Sequence, residues 1–385
     1  MQEQTTGQIE SNRFESGLPA EDPTVAVFEE GDRGAVRRIQ HFLHAYPTTI
    51  PFIVLLLSVL IFSLIVGSRF FAPLNLSLVL QQVTIIAVLG IAQTLIILTA
   101  GIDLSVGAIM VLSSIVMGRL AVINGVPVEL AFPIGLVTGI ACGAVNGALV
   151  TRLKLPPFIV TLGTWSIFNA LVLFYSRSET LRQQDVEAVA SFLQWTGYAL
   201  NDGLRDVYGY LKLNMGSESW PEWAFRFGGA RITYGSILMI IIAAVVWYIL
   251  TRTAFGRHVY ATGDDPDAAR LAGINTNRTL LAVYTLAGLI CAVGGWILIG
   301  RIGAVSPLGG QTANLDSITA VVIGGTSLFG GRGSIIGTLI GALIVGVFRN
   351  GLALAGLDAL WQEFAVGVLI IVAVALDQWI RRVSL

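Results

Sequence analysis

Long apolar runs joined by mostly short loops fill most of this chain, and they constrain it more than any motif does. A helix that crosses a bilayer needs about 20 apolar residues. Clear runs fall at 50–67, 82–100, 106–123, 129–150, 157–176, 234–251, 280–300, 334–349 and 361–379, and a weaker one at 315–329 (LDSITAVVIGGTSLF) makes ten. Hydrophobic residues make up 55% of the 385 and charged residues only 12%, against about 25% charged in a soluble domain. The expected fold is an all-α polytopic membrane protein in the lipid bilayer, with about ten transmembrane helices. A net charge of −1 offers no basic patch for nucleic acid. Cys142 and Cys291 lie in apolar runs and read as small packing residues, without a disulfide, zinc or redox pattern.

Residues 1–45 precede the first run. Their first 32 positions are acidic, with Glu3, Glu10, Glu15, Glu21, Glu29 and Glu30, and read as a disordered cytosolic extension to a membrane domain at 46–385. Nothing there resembles a cleavable signal peptide. Basic residues mark the inner loops. Arg33, Arg37 and Arg38 precede the first run, Arg152 and Lys154 occupy 151–156, and Arg252, Arg257, Arg270 and Arg278 lie in 252–279. Arg381 and Arg382 form the tail. Short loops 124–128 and 68–81 carry none and one. Both termini are therefore expected in the cytosol, which requires an even number of spans. The long 177–233 loop then lies outside. Its Trp195, Tyr198, Tyr208, Tyr210, Trp220 and Trp223 suit either anchoring at the membrane boundary or docking of an outer partner.

Two apolar runs carry glycine at close spacing. Gly135, Gly139, Gly143 and Gly147 recur every four residues, a smooth stripe that lets a neighbouring helix approach, and Asn146 beside it could bond across the contact. The run 337–354 is similar and also ends in Asn-Gly, at Asn350 and Gly351. It reads either as an internal repeat or as convergent packing.

Two polar, glycine-bearing breaks interrupt the runs. In LTAGIDLSVGA (98–108), Asp103 sits between apolar stretches, with Gly101 and Gly107 on either side. A carboxylate near hydrocarbon normally faces a cavity or partner, so a broken helix lining a transport path is one reading. A turn capped by Asp103 or Ser105 is the other. In VVIGGTSLFGGRGS (321–334), Thr326 and Ser327 offer hydrogen-bonding groups, but the phosphate-loop pattern with its Lys is absent.

The segment GDDPDAARLAG (263–273) is specified at both ends as a helix of about two turns. Asp265 suits the N-cap, Pro266 the first helical position, Asp267 the positive helix start and Gly273 the C′ position. So short a helix is unstable alone in water.

Function classes narrow from there. No catalytic constellation or metal site is expected; His41, His44 and His258 lie near inner boundaries without further ligands. A membrane prenyltransferase would need a second acidic cluster facing Asp264, Asp265 and Asp267. A secondary transporter would need more ionisable residues along its spans, and a channel's pore rings are not readable. The membrane subunit of a primary transporter fits better, because it borrows its energy from a separate ATPase and needs an inner element for that partner to push.

Four stretches then identify a family. AGIDLSVGA, NGALVTRLKLPPFIVTLGT, TAFGRHVYATGDDPDAARLAGI and VVIGGTSLFGGRGSIIGTLIGALIVGVFRNGLAL together resemble the permease subunits of bacterial ABC monosaccharide importers of the ribose, xylose, arabinose and fructose type. The resemblance runs from about residue 50 to the C-terminus. It implies a homodimer in the inner membrane, a cytosolic ATPase subunit with tandem nucleotide-binding domains, and a periplasmic sugar-binding protein that meets the outer loops. It also implies a fold like that of the vitamin B12 importer's membrane subunit. Asp265, Pro266, Asp267, Ala268, Ala269, Arg270, Ala272 and Gly273 fall where that family has its ATPase-coupling helix, with Ala268, Ala269 and Ala272 expected to form its contact face. Gly101, Asp103, Ser105, Gly107, Thr326 and Ser327 are the residues expected along the substrate path. The family often has Gly-Asn-Pro-Glu where this chain has Asp264-Asp265-Pro266-Asp267; cap, proline and acid are all kept. No cofactor is implied, and the fructose and ribose branch is the closest in pattern.

Overall fold

The computed structural model describes residues 49–200, 230–310 and 312–381. The acidic extension, His41 and His44, and the aromatics Tyr208, Tyr210, Trp220 and Trp223 of the 177–233 loop lie outside the described residues.

Regular structure among the described residues is helical, apart from two isolated bridges, Leu181–Val305 and Ala199–Thr233. The order is α1 (Thr49–Val66), α2 (Pro73–Leu98), α3 (Val106–Val122), α4 (Val128–Arg152), α5 (Pro157–Ser176), α6 (Gln183–Ala190), a 3-10 segment (Ser191–Gly197), α7 (Tyr234–Arg252), α8 (Ala254–Asp264), α9 (Pro266–Leu271), α10 (Thr276–Ile302), α11 (Ala313–Ile323), α12 (Ile335–Leu354) and α13 (Ala359–Arg381). Helix starts follow the local chemistry. Pro73 and Pro157 sit at first helical positions, where their missing N–H is no loss. Thr233, Asn275 and Ser334 accept backbone N–H groups at the starts of α7, α10 and α12.

Among the described residues seven helices are long and apolar enough to cross a membrane: α1, α2, α4, α5, α7, α10 and α12. The apolar helices α3 and α11 are shorter, as is the stretch Ala359–Leu369 that opens α13. The expected crossing at 315–329 differs most from its prediction. Its helix is only 11 residues, Ala313–Ile323, or about 16 Å, roughly half the hydrocarbon thickness. Gly324 caps it, and Gly325, at φ +86°, turns the chain away. Residues 324–334 then run on without regular structure until Ser334 starts α12. The second span also begins earlier than its apolar run, at Pro73 rather than 82.

Helices α10 and α2 form the interior, while α1, α4, α5 and α7 keep most of their apolar residues on the outside. On α1, Leu64 is 77% exposed and its neighbours Leu56, Leu60 and Ile65 are exposed as well. Such a surface suits lipid and would be unfavourable in water. The most extensive helix pair is α4 on α10. A Cβ at Gly143 would lie 3.1 Å from the Gly288 Cα, and one at Gly147 would lie 3.1 Å from the Leu281 Cα. The glycine stripe therefore brings two backbones together, as its spacing predicts.

Candidate functional site

Two helices, not one, fill the 252–279 loop. Thr253 accepts the Gly256 N–H and starts α8, whose buried residues Gly256, Val259, Thr262 and Gly263 lie along one side. Asp265 alone separates α8 from α9. Its carboxylate accepts the N–H groups of Asp267 (2.9 Å) and Ala268 (3.0 Å), with Pro266 at the first helical position. Arg270 pairs with Asp267 at 2.9 Å and donates to the Thr276 hydroxyl at 3.0 Å, tying α9 to the start of α10. Gly273, at φ +85°, ends the helix in the left-handed region.

The exposure pattern corrects one detail of the expected contact face. Ala269 is 4% exposed and points into the chain, whereas Ala268 and Ala272 are exposed and Leu271 is 91% exposed. A leucine so fully in solvent at the tip of a six-residue helix is the most prominent outward group of this loop. Alanine spacing alone does not reveal it, because α9 is too short for a periodic pattern. Helix α8, by contrast, could be read from the spacing of its apolar positions.

The first polar break folds into a sealed assembly. Asp103 is 2% exposed and Ser105 is fully buried. Asp103 Oδ1 accepts both the N–H and the Oγ–H of Ser105, each at 2.6 Å. Asn146 of α4 donates to Ser105 Oγ at 2.8 Å and lies 3.4 Å from Asp103 Oδ2. Gln93 of α2, in the amide orientation that satisfies both its ends, donates to the Asp103 carbonyl (3.1 Å) and accepts its N–H (3.2 Å). No Lys or Arg among the described residues pairs with this carboxylate. Gly101 lies under the Tyr284 hydroxyl, and Gly107 packs on Asn314 at the start of α11.

Thr326 and Ser327, in the second break, are each 2% exposed. Gly331 N–H donates to the Leu98 carbonyl at 3.0 Å, so the two breaks touch where α2 ends. All six residues expected along a path are thus enclosed by the chain's own helices. An open groove of about 470 Å³ between α4 and α10 is lined by Ile140, Arg278, Leu281 and Thr285 among others, and includes none of them.

The sequence reading missed an ion-pair assembly at the C-terminal end of α12. Arg349 donates to Asp316 of α11 and to Glu363 of α13, each at 2.8 Å, and Thr312 donates to Asp316 at 3.2 Å. Beside it, Asn350 and Asn75 exchange hydrogen bonds of 2.8 and 3.1 Å between α12 and α2. These residues are separated by 33 and 275 positions along the chain, so no local spacing marks them.

Residues 75–374 match the family described as branched-chain amino acid transport system / permease component. The chain is 52% identical to the fructose import permease protein of Rhizobium meliloti, over 384 residues and all of both chains. It is 38% identical to the ribose import permease protein of Bacillus subtilis, covering 85% of this chain and 92% of that one. Against the xylose transport system permease protein of Escherichia coli K12 it is 32% identical, covering 84% and 90%. No solved structure matches it.

Proposed function

The chain belongs to this permease family, and from that membership we propose that it is the membrane-spanning subunit of an ATP-driven importer of a monosaccharide of the fructose or ribose type. Identity of 52% over the whole length of a fructose import permease carries the proposal. In this reading the chain works as a homodimer in the bacterial inner membrane. A cytosolic ATPase subunit with tandem nucleotide-binding domains drives it, and a periplasmic sugar-binding protein supplies it. No chemistry is done on the sugar, and ATP is hydrolysed by the partner.

The shorter helices α3 and α13 join the seven long ones, and half-helix α11 continued by the irregular segment 324–334 completes the tenth crossing, in an arrangement like the vitamin B12 importer's membrane subunit. Both termini then lie in the cytosol with the basic loops. The α8–α9 loop meets the ATPase, and three features support that role. Helix α9 is capped at both ends, it is fastened to α10 through Arg270, and it presents Leu271 outward beside Ala268 and Ala272. An exposed apolar anchor ringed by small residues is the kind of group that fills a pocket on a partner and carries much of an interface's energy.

Leu271→Asp tests this. The variant keeps every contact of α9 within the chain, since Leu271 makes none that bury it. Expected are normal membrane insertion, loss of co-purification with the ATPase subunit, and uptake of labelled fructose reduced by about tenfold or more. Unchanged co-purification and uptake would overturn the assignment of α9. Fructose and ribose titrations of the partner binding protein decide the sugar.

A further inference from the structure

We infer that a joint of three backbone segments, Leu98–Gly101, Gly263–Asp264 and Gly330–Gly331, carries movement of α9 into the two buried breaks, with Tyr260 and Gly330 as positioning residues. The inference rests on the reading of α9 as the element the ATPase moves, and extends it to the route inside the chain.

The joint is mainly backbone on backbone, with the Asp264 and Ala100 side chains lying against Gly331 and Gly330. Gly331 N–H donates to the carbonyl of Leu98, the last residue of α2. A Cβ at Gly330 would lie 2.5 Å from the Gly263 carbonyl and 2.8 Å from the Ala100 N, so backbone meets backbone on both sides. A Cβ at Gly263 would lie 2.9 Å from the Gly331 N. Gly330 and Gly331 adopt φ of +85° and +70°, in the left-handed region that glycine tolerates. Ala100 adopts φ +59° at the same place. A residue with a Cβ is strained there, and such strain persists only where the surroundings fix the backbone. Tyr260 of α8 adds a side-chain hydrogen bond just beyond the joint, donating to the Gly333 carbonyl at 2.9 Å.

Connectivity makes this a transmission point. Gly263 and Asp264 end α8, and only Asp265 intervenes before α9. Displacement of α9 therefore acts directly on the joint. On its far side, Ala100 leads within three residues to Asp103 and its sealed assembly, and Gly330 lies in the irregular segment that follows half-helix α11. Packed backbone cannot absorb a push by changing rotamers, so the three segments move together. An alternative route runs through Arg270 and Thr276, which link α9 to α10.

The test uses the full transporter in proteoliposomes, with its ATPase and binding protein, and reads labelled fructose imported per ATP hydrolysed. Tyr260→Phe removes one hydrogen bond and adds no bulk. Gly330→Ala forces the joint apart. Thr276→Val cuts the alternative route. Expected are complexes that assemble normally in all three. The sugar-to-ATP ratio should fall about fivefold in Tyr260→Phe, fall further in Gly330→Ala, and stay unchanged in Thr276→Val. An unchanged ratio in Tyr260→Phe, whether or not Gly330→Ala folds, would overturn the inference, as would a drop confined to Thr276→Val. Failure of the α9 assignment itself is separate, because it shows as normal co-purification of Leu271→Asp with the ATPase.

Discussion

Helices α4 and α12 look alike in sequence and pack differently. In α4 the glycines recur every four residues. Each step turns the face by about 40° beyond one full turn, so the stripe drifts slowly. Gly135 meets Met117 of α3, and Gly139, Gly143 and Gly147 all meet α10, at Gly288, Tyr284 and Leu281. In α12 the steps are four, five and five residues. A step of five turns the face by about 140°, so successive glycines address different neighbours. Gly337 packs on Gly324, Gly341 on Ala320 of α11, Gly346 on Val83 of α2 and Gly351 on Phe62 of α1. The shared Asn-Gly ending also differs in use. Asn146 turns inward to Ser105, whereas Asn350 pairs with Asn75. These contacts match convergent packing rather than an internal repeat. One residue of spacing separates a helix whose glycines mostly clamp α10 from one whose glycines gather α11, α2 and α1.

Breaking that contrast at its strongest point is expected to have the largest effect. A side chain at Gly143 meets the Tyr284 carbonyl and the Gly288 Cα, which are backbone atoms that cannot step aside. At Gly346 it meets the Val83 side chain. Gly143→Leu should therefore abolish the monodisperse peak in size-exclusion chromatography. Gly346→Leu should keep the peak and lose about 1–3 kcal/mol of stability, read as a lower Tm. Equal behaviour of the two would mean that the α4–α10 contact is no tighter than those of α12.

The same contrast explains what the sequence could show. The α4 stripe, the Asp265 cap with Pro266, and the Gly273 terminus are local patterns, each set by residues a few positions apart, and each is found as read. The half-length of α11 was hidden because apolar residues continue past Ile323 in composition while Gly324 and Gly325 turn the backbone. Asp103 could be read as a path residue or as a cap, and only the placement of Asn146, 43 positions away, and Gln93 shows it enclosed. Leu271 and Ala269 differ by two positions and by nearly the full range of exposure. That difference belongs to how α9 lies on its neighbours, which a six-residue pattern does not encode.

At the other end of α12, the ion assembly is the next most sensitive point. Arg349→Leu leaves Asp316, 8% exposed, without its cation. Removing one partner of a buried pair costs about 3–5 kcal/mol, much of it from the stranded charge. The double variant Arg349→Leu with Asp316→Asn should recover more than half of the lost Tm, because no charge is left buried. Asn146→Ala in α4 removes the hydrogen bond to Ser105 Oγ and the longer one to Asp103 but breaks no ion pair, and should cost about 1–2 kcal/mol. A larger loss from Asn146→Ala than from Arg349→Leu would reverse the ranking of the two polar ends.

The smallest effect is expected at Asp103, where the α4 assembly can be sharpened without being broken. An asparagine keeps the oxygen that accepts the Ser105 N–H. Its new N–H₂ group replaces Oδ2, which holds only the 3.4 Å contact from the Asn146 N–H₂. Asp103→Asn should therefore change stability by about 1 kcal/mol or less and leave sugar uptake within about twofold of the parent. Asp103→Leu, which removes the acceptor altogether, strands the Ser105 N–H and hydroxyl and should cost about 1–3 kcal/mol for each group. The two variants separate the readings that the sequence left open. If the carboxylate serves as a cap, only the leucine is harmful and the damage appears in Tm. If its charge takes part in transport, the asparagine lowers uptake by tenfold or more at unchanged Tm, and the enclosed geometry around Asp103 must then open during the transport cycle.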